Sequence, residues 1–125
     1  MFAETRAYSG FAVDDLDRAR EFYGETLGLP ITVVDEGNLI TLELAGGRDT
    51  LVYLSPDFTP GSYTIINFEV DYIEAAVDSL VERGVEFERY DGMEQDEKGI
   101  AHFGPDIAWF KDPAGNVLSV IQASQ

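Results

Sequence analysis

Apolar and polar residues along this chain alternate between two periods, and the changes of period mark the elements. In "FAVDDLDRAREFYGETLGL" the residues Leu16, Ala19, Phe22, Tyr23 and Leu27 recur at helical spacing; Asp14 or Asp15 stands where an N-cap is needed, and Gly28 where a helix can stop. The spacing predicts a helix over about 15–27. The same grammar returns in "FEVDYIEAAVDSLVERGVEF", with Asp71 as candidate cap, Ile73, Ala76, Val77 and Leu80 as the apolar stripe and Gly84 as the stop, which predicts a second helix over about 73–83. Alternating runs precede each helix, "TRAYSGFAV" and "YTIINFEV". Further β-type runs follow: "ITVV", "NLITLEL" and "TLVYL" after the first, "VEFERY", "IAWFK" and "NVLSVI" after the second.

The two stretches superpose. Phe11 to Leu16 aligns with Phe68 to Ile73 at an offset of 57, and Gly28 to Ile31 with Gly84 to Phe87 at 56, so the chain reads as a duplicated β-α-β-β-β unit. The first module covers about 5–54 and the second about 63–122, joined by the Pro- and Gly-containing segment 55–62; residues 91–99, "DGMEQDEKG", form an acidic loop. The expected fold is α+β, one helix on each sheet. Period 2 then sorts the strands. Phe11, Val13, Val52, Leu54, Phe68, Val70, Phe110, Leu118 and Val120 go to the helix side together with Leu16, Tyr23, Ile73 and Leu80. Tyr8, Gly10, Ala12, Leu51, Tyr53, Ile65, Asn67, Glu69, Ile107, Trp109, Val117, Ser119 and Ile121 go to the opposite face.

Composition narrows the chemistry. A chain of 125 residues can bury roughly two-thirds of its extended surface. It has no cysteine, which excludes disulfides, zinc–thiolate sites and thiol nucleophiles and is compatible with the cytoplasm. Neither a signal peptide nor a membrane span is expected from its hydropathy. The net charge of −16 repels phosphate backbones and anionic membranes, so nucleic acid and membranes are not expected partners, whereas cationic small molecules would be concentrated near the surface.

"FAVDDLDRAREFYGETLGL", its repeat "FEVDYIEAAVDSLVERGV" and the ending "AWFKDPAGNVLSVIQ" together resemble the vicinal oxygen chelate superfamily, which groups glyoxalase I, extradiol dioxygenases and bleomycin-resistance proteins. The resemblance implies two tandem βαβββ modules forming half-open barrels around a central cavity, and a homodimer. It also implies where metal-using members place their ligands: a histidine ahead of the first helix in each module and a carboxylate on each module's last strand. The matching positions here read Tyr8, Ile65, Tyr53 and Ser119. Two phenols, a hydroxyl and an alkyl group lack the charge and the donors that offset dehydration of a divalent cation, so no metal and no other cofactor is expected. Ser119 marks the place where a carboxylate ligand would stand.

Other candidates are weaker. His102 is the only histidine and reads as a surface or strand-edge residue; one imidazole makes no transition-metal site. Asp112, Pro113 and Gly115 form a turn that their own geometry explains. Tyr8, Tyr53 and Trp109, with Thr41, Asn67, Glu43 and Glu69, read either as ordinary packing or as an aromatic-lined pocket for a planar or cationic ligand. The two glutamates would be general bases only if burial raised their pKa, and Ser119 has no His/Asp relay in view. The expected function is metal-free binding of a hydrophobic or cationic small molecule, with Tyr8, Thr41, Glu43, Tyr53, Ile65, Asn67, Glu69, Ile107, Trp109 and Ser119 as ligand contacts and no catalytic residue. The alternative is a glyoxalase-like lyase, isomerase or dioxygenase with a non-standard site. A third possibility is a domain that binds a protein partner or a stress-associated domain without ligand.

Overall fold

The structure, a computed structural model, describes residues 1–124. The chain divides into two compact units, Met1–Thr59 and a second from Pro60 on. In the first, β1 (Ser9–Val13) leads into α1 (Leu16–Arg20), followed by β2 (Ile31–Val34), β3 (Leu39–Leu44) and β4 (Arg48–Leu54). The sheet order is β1-β4-β3-β2, with β1 parallel to β4 and the other pairs antiparallel. Asp15 is the N-cap, its Oδ1 accepting from the Arg18 N–H at 3.1 Å.

The predicted helix over 15–27 is present but not uniform. After one α-helical stretch it widens into a π-helical turn, Glu21–Thr26, in which the Leu27 N–H donates to the Phe22 carbonyl at 2.9 Å. Tyr23, in this turn, is fully buried against Phe11 and Phe22, at ring distances of 5.6 and 5.2 Å. Over so few turns, an apolar pattern cannot distinguish the two windings. Below α1 lie Phe11, Val13, Ile40, Leu42 and Val52, all buried. Leu54, assigned to this core by alternation, ends β4 and is 52% exposed: the pleat chooses a face but does not guarantee that anything covers it.

The second unit runs β5 (Thr64–Val70), α2 (Ile73–Glu82), β6 (Ile107–Lys111) and β7 (Val117–Gln122), in the sheet order β5-β7-β6 with β5 parallel to β7. Ile73 and Val77 of α2 are buried, as are Phe110, Leu118 and Val120, while Phe68, Val70 and Leu80 are half-buried. The α2 cap is not Asp71. The N-cap position falls on Tyr72, whose side chain makes no capping bond. The first N–H of the helix, that of Ile73, is instead satisfied by Gln122 Oε1 at 2.9 Å, while Gln122 Nε2 donates to the carbonyls of Val70 and Asp71. One amide at the end of β7 thus secures the β5–α2 connection.

The expected strand "VEFERY" does not form a ladder. Phe87 makes a single bridge to Phe110, and the Glu88 N–H donates to the Trp109 carbonyl at 2.8 Å. Beyond that the donors turn elsewhere: the Tyr90 N–H goes to Gln95 Oε1, and the Arg89 guanidinium goes to the carbonyls of Asp96 and Glu97. Residues 91–99 are accordingly folded around their own polar groups, with Asp96 Oδ1 accepting from the N–H groups of Lys98 and Ile100 at 2.9 Å each. The β6–β7 turn is built as expected. Asp112, 5% exposed, accepts from the N–H groups of Ala114 and Asn116, and Gly115 takes φ +96°. Among the described residues, seven strands in two mixed sheets, each with its helix, make an α+β protein of the duplicated-module class.

Candidate ligand-binding faces

In the second unit the sheet face away from α2 is organised in rows. Register places Asn67, Ser119 and Trp109 side by side across β5, β7 and β6, and Glu69, Ile121 and Ile107 in the next row. Trp109, Ile107 and Ile121 are half-buried, and Asn67 and Glu69 are exposed. Ser119 is completely buried, and its Oγ donates to Asn67 Oδ1 at 2.6 Å. Tyr90 braces the indole of Trp109 edge-on, with ring centroids 5.6 Å apart and an interplanar angle of 75°. Burial raises the pKa of the Tyr90 phenol, and the nearby Glu88 carboxylate raises it further. Tyr90 is absent from the residues predicted for this face, although alternation from Phe87, which packs against Phe110, puts it on the Trp109 side. Ile65 departs from the prediction in another way: the β5–β7 register shifts between Thr64 and Ile66, so Thr64 and Ile65 together span the single step from Val117 to Leu118 and simple alternation does not apply to Ile65.

In the first unit, the corresponding face carries Thr41 beside Leu51, and Tyr53 between Ala12 and Leu39. Tyr53 is 40% exposed. Gly10 sits beside Leu51, where a β-carbon would come within 3.1 Å of the Leu51 carbonyl oxygen. Glu43 is exposed, accepting from Thr32 Oγ1 at 3.3 Å. Tyr8 does not join the row. It precedes β1, is 58% exposed, and stacks under the Arg6 guanidinium, which is itself paired with Asp49 at 2.9 Å. The alternation that assigned Tyr8 to this face holds only inside a strand.

His102 lies outside both faces, as its sequence position indicated, but it is well engaged. Its Nδ1 is 2.8 Å from Asp106 Oδ1 and its Nε2 is 2.8 Å from Asp96 Oδ2. Both ring nitrogens can donate only as imidazolium. The bonds to Asp96 and then Asp106 raise the His102 pKa above its ordinary value. For Asp96, partial burial acts upward, but the bonds from His102, Ile100 and Lys98 outweigh it and leave the carboxyl below its usual range.

Duplicated strand–helix–sheet units, each turning one sheet face to its helix and the other away, define the class to which this fold belongs. The chain is a member of the Glyoxalase/Bleomycin resistance protein/Dioxygenase superfamily, whose family profile matches residues 6–120. Solved structures agree. An antibiotic-binding protein from Streptomyces sp. CB03234 is 28% identical, with 97% of this chain and 98% of that one covered at a TM-score of 0.65. A glyoxalase family protein from Enterococcus faecalis is 24% identical (97% and 99% covered, TM-score 0.66). The fosfomycin resistance protein FosX from Mesorhizobium loti shares the fold at 11% identity (97% and 93% covered, TM-score 0.67). No curated protein matches the sequence.

The metal implied by many members of this superfamily does not fit the donors present here. Ile65 offers none, the Ser119 hydroxyl is spent on Asn67, and Tyr8 and Tyr53 are phenols. Among the described residues, no group of three or more His, Asp or Glu side chains is placed to hold a metal ion. Among the described residues, no helix is long and apolar enough to cross a membrane.

Proposed function

We propose that this protein binds and sequesters a hydrophobic or cationic aromatic small molecule without using a metal, and that the ligand stacks on Trp109. The observation that carries this reading is the construction around the indole: Tyr90 braces it, Ile107 and Ile121 supply apolar surface in the next row, and Asn67 and Glu69 add exposed polar groups. Flat aromatic surface with a few convergent polar groups is what a planar ligand requires, and a carboxylate beside it favours a cation. The likeness to an antibiotic-binding protein at 28% identity supports the same class of activity. On the first unit's own sheet, Tyr53, Thr41 and Glu43 occupy the corresponding face. Ser119, being buried, acts on the ligand only through Asn67.

In this reading the protein works in the cytoplasm as a homodimer, in which a partner covers an edge strand such as β1, β2 or β5. Sedimentation analysis showing only monomer at micromolar concentration would remove the dimer from the proposal. Since Trp109 is the only tryptophan, a screen of cationic aromatic compounds by its emission reads this face directly. A hit is expected to lose about 1–3 kcal/mol of affinity in Trp109→Ala with the fold retained. Compounds that bind without perturbing the emission, and bind Trp109→Ala equally well, would place the site elsewhere.

A further inference from the structure

The Ser119–Asn67 pair settles which end of the Asn67 amide is offered to a ligand. Ser119 has no exposed surface, so its hydroxyl must find its partner within the protein, and at 2.6 Å that partner is Asn67 Oδ1. The distance suits O–H···O and is short for N–H···O, which fixes the amide with its oxygen inward. Asn67 stands on the exposed end of the row, and its Nδ2 has no protein acceptor among the described residues. The Nδ2 end, with its two N–H donors, is the part of the amide left for a ligand beside the Trp109 row.

We infer that Ser119 is a positioning residue that makes Asn67 a dedicated hydrogen-bond donor, so that the face selects planar aromatic compounds carrying a carbonyl acceptor over the same ring systems without one. The inference rests on the proposed binding role of the Trp109 face and adds the ligand's chemical class to it. With the hydroxyl removed, the amide is free to rotate and present either end, and the donor preference weakens while the stacking surface stays.

The test uses two probes that share the naphthalene ring and the cation, of which only the first carries carbonyl acceptors: an N-alkyl naphthalimide bearing a trimethylammonium group, and naphthalene bearing the same group. Calorimetric titration of the full-length protein is expected to show the naphthalimide bound about fivefold more tightly, the worth of one net hydrogen bond. In Ser119→Ala the ratio of the two Kd values is expected to fall toward one with naphthalene affinity unchanged, a selective loss that a merely structural defect would not produce. Asn67→Asp keeps an acceptor for Ser119 and removes the donors, and is expected to abolish the preference even where Ser119→Ala folds poorly. Equal binding of both probes by the wild type, or a ratio untouched by Asn67→Asp, would overturn the inference and leave the binding role standing. Failure of both probes to bind would overturn the two together.

Discussion

At the scale of single residues, His102 is the clearest case of a side chain whose neighbours decide its state. Bonds of 2.8 Å to Asp96 and to Asp106 favour the imidazolium, so the folded pKa lies above the ordinary 6.5. The sign of the linkage follows: the stabilising contribution is fully present below about pH 6.5 and is lost as the pH rises through the raised folded value. Histidine resonances followed by NMR are expected to titrate above 6.5 in the wild type and to move back down in Asp96→Asn and Asp106→Asn. An unshifted midpoint in either variant would show that its carboxylate is not a partner in solution. Phe110 makes the corresponding apolar case. It has no exposed surface and meets Phe87 at 5.6 Å, so Phe110→Ala is expected to cost about 3–5 kcal/mol in denaturant unfolding. The half-buried Phe68 should cost clearly less.

At the scale of elements, the two helices are held by different devices although their sequences rhyme. α1 is capped locally by Asp15, one of the two adjacent aspartates that the pattern offers, through a contact three residues long. α2 is capped from 49 residues away by Gln122, and Asp71, the local candidate, contributes its carbonyl rather than its carboxylate. Gln122→Ala is expected to destabilise the second unit by about 1–2 kcal/mol and to raise amide exchange at Ile73, whereas Asp71→Ala should have little effect on stability. The reverse ranking in thermal melts would restore Asp71 as the cap. The segment 85–90 shows the same contrast. Its alternation is that of a strand, yet Arg89 and Tyr90 give their donors to residues 95–97, and only Phe87 and Glu88 reach β6. Alternation from Phe87 puts Tyr90 on the Trp109 side, but the edge-on contact of the two rings belongs to the packed structure.

At the scale of the whole molecule, the net charge of −16 sets the conditions under which binding would be seen. If a cationic ligand is drawn by this field, its affinity should weaken as salt is raised from about 10 mM toward the physiological range, where the Debye length shrinks to about 8 Å. Glu69→Gln should flatten that dependence, and a neutral ligand should show neither effect. Titrations that give the same salt slope for cationic and neutral ligands would confine the role of the acidic residues to solubility. Elemental analysis of the purified protein is expected to find no stoichiometric transition metal, because the positions at which the resemblance implies metal ligands read Tyr8, Tyr53, Ile65 and Ser119.

The sequence by itself determined the duplication, the α+β class, the core-forming Phe11, Val13, Ile73, Phe110, Leu118 and Val120, an aspartate cap at 14 or 15, the Asp112 to Gly115 turn and the residue types Tyr8, Ile65, Tyr53 and Ser119 at the four aligned positions. These depend on period, on residues a few positions apart, or on residue type at a position given by the repeat. Only the tertiary structure decided the π-turn that buries Tyr23, the register shift that displaces Ile65, the exposure of Tyr8 and Leu54, the Gln122 cap, and the Ser119–Asn67 bond linking positions 52 residues apart. A polar side chain forced out of water takes whichever partner the packed chain brings within reach, and that partner is chosen by the pairing of distant strands, which no local spacing records.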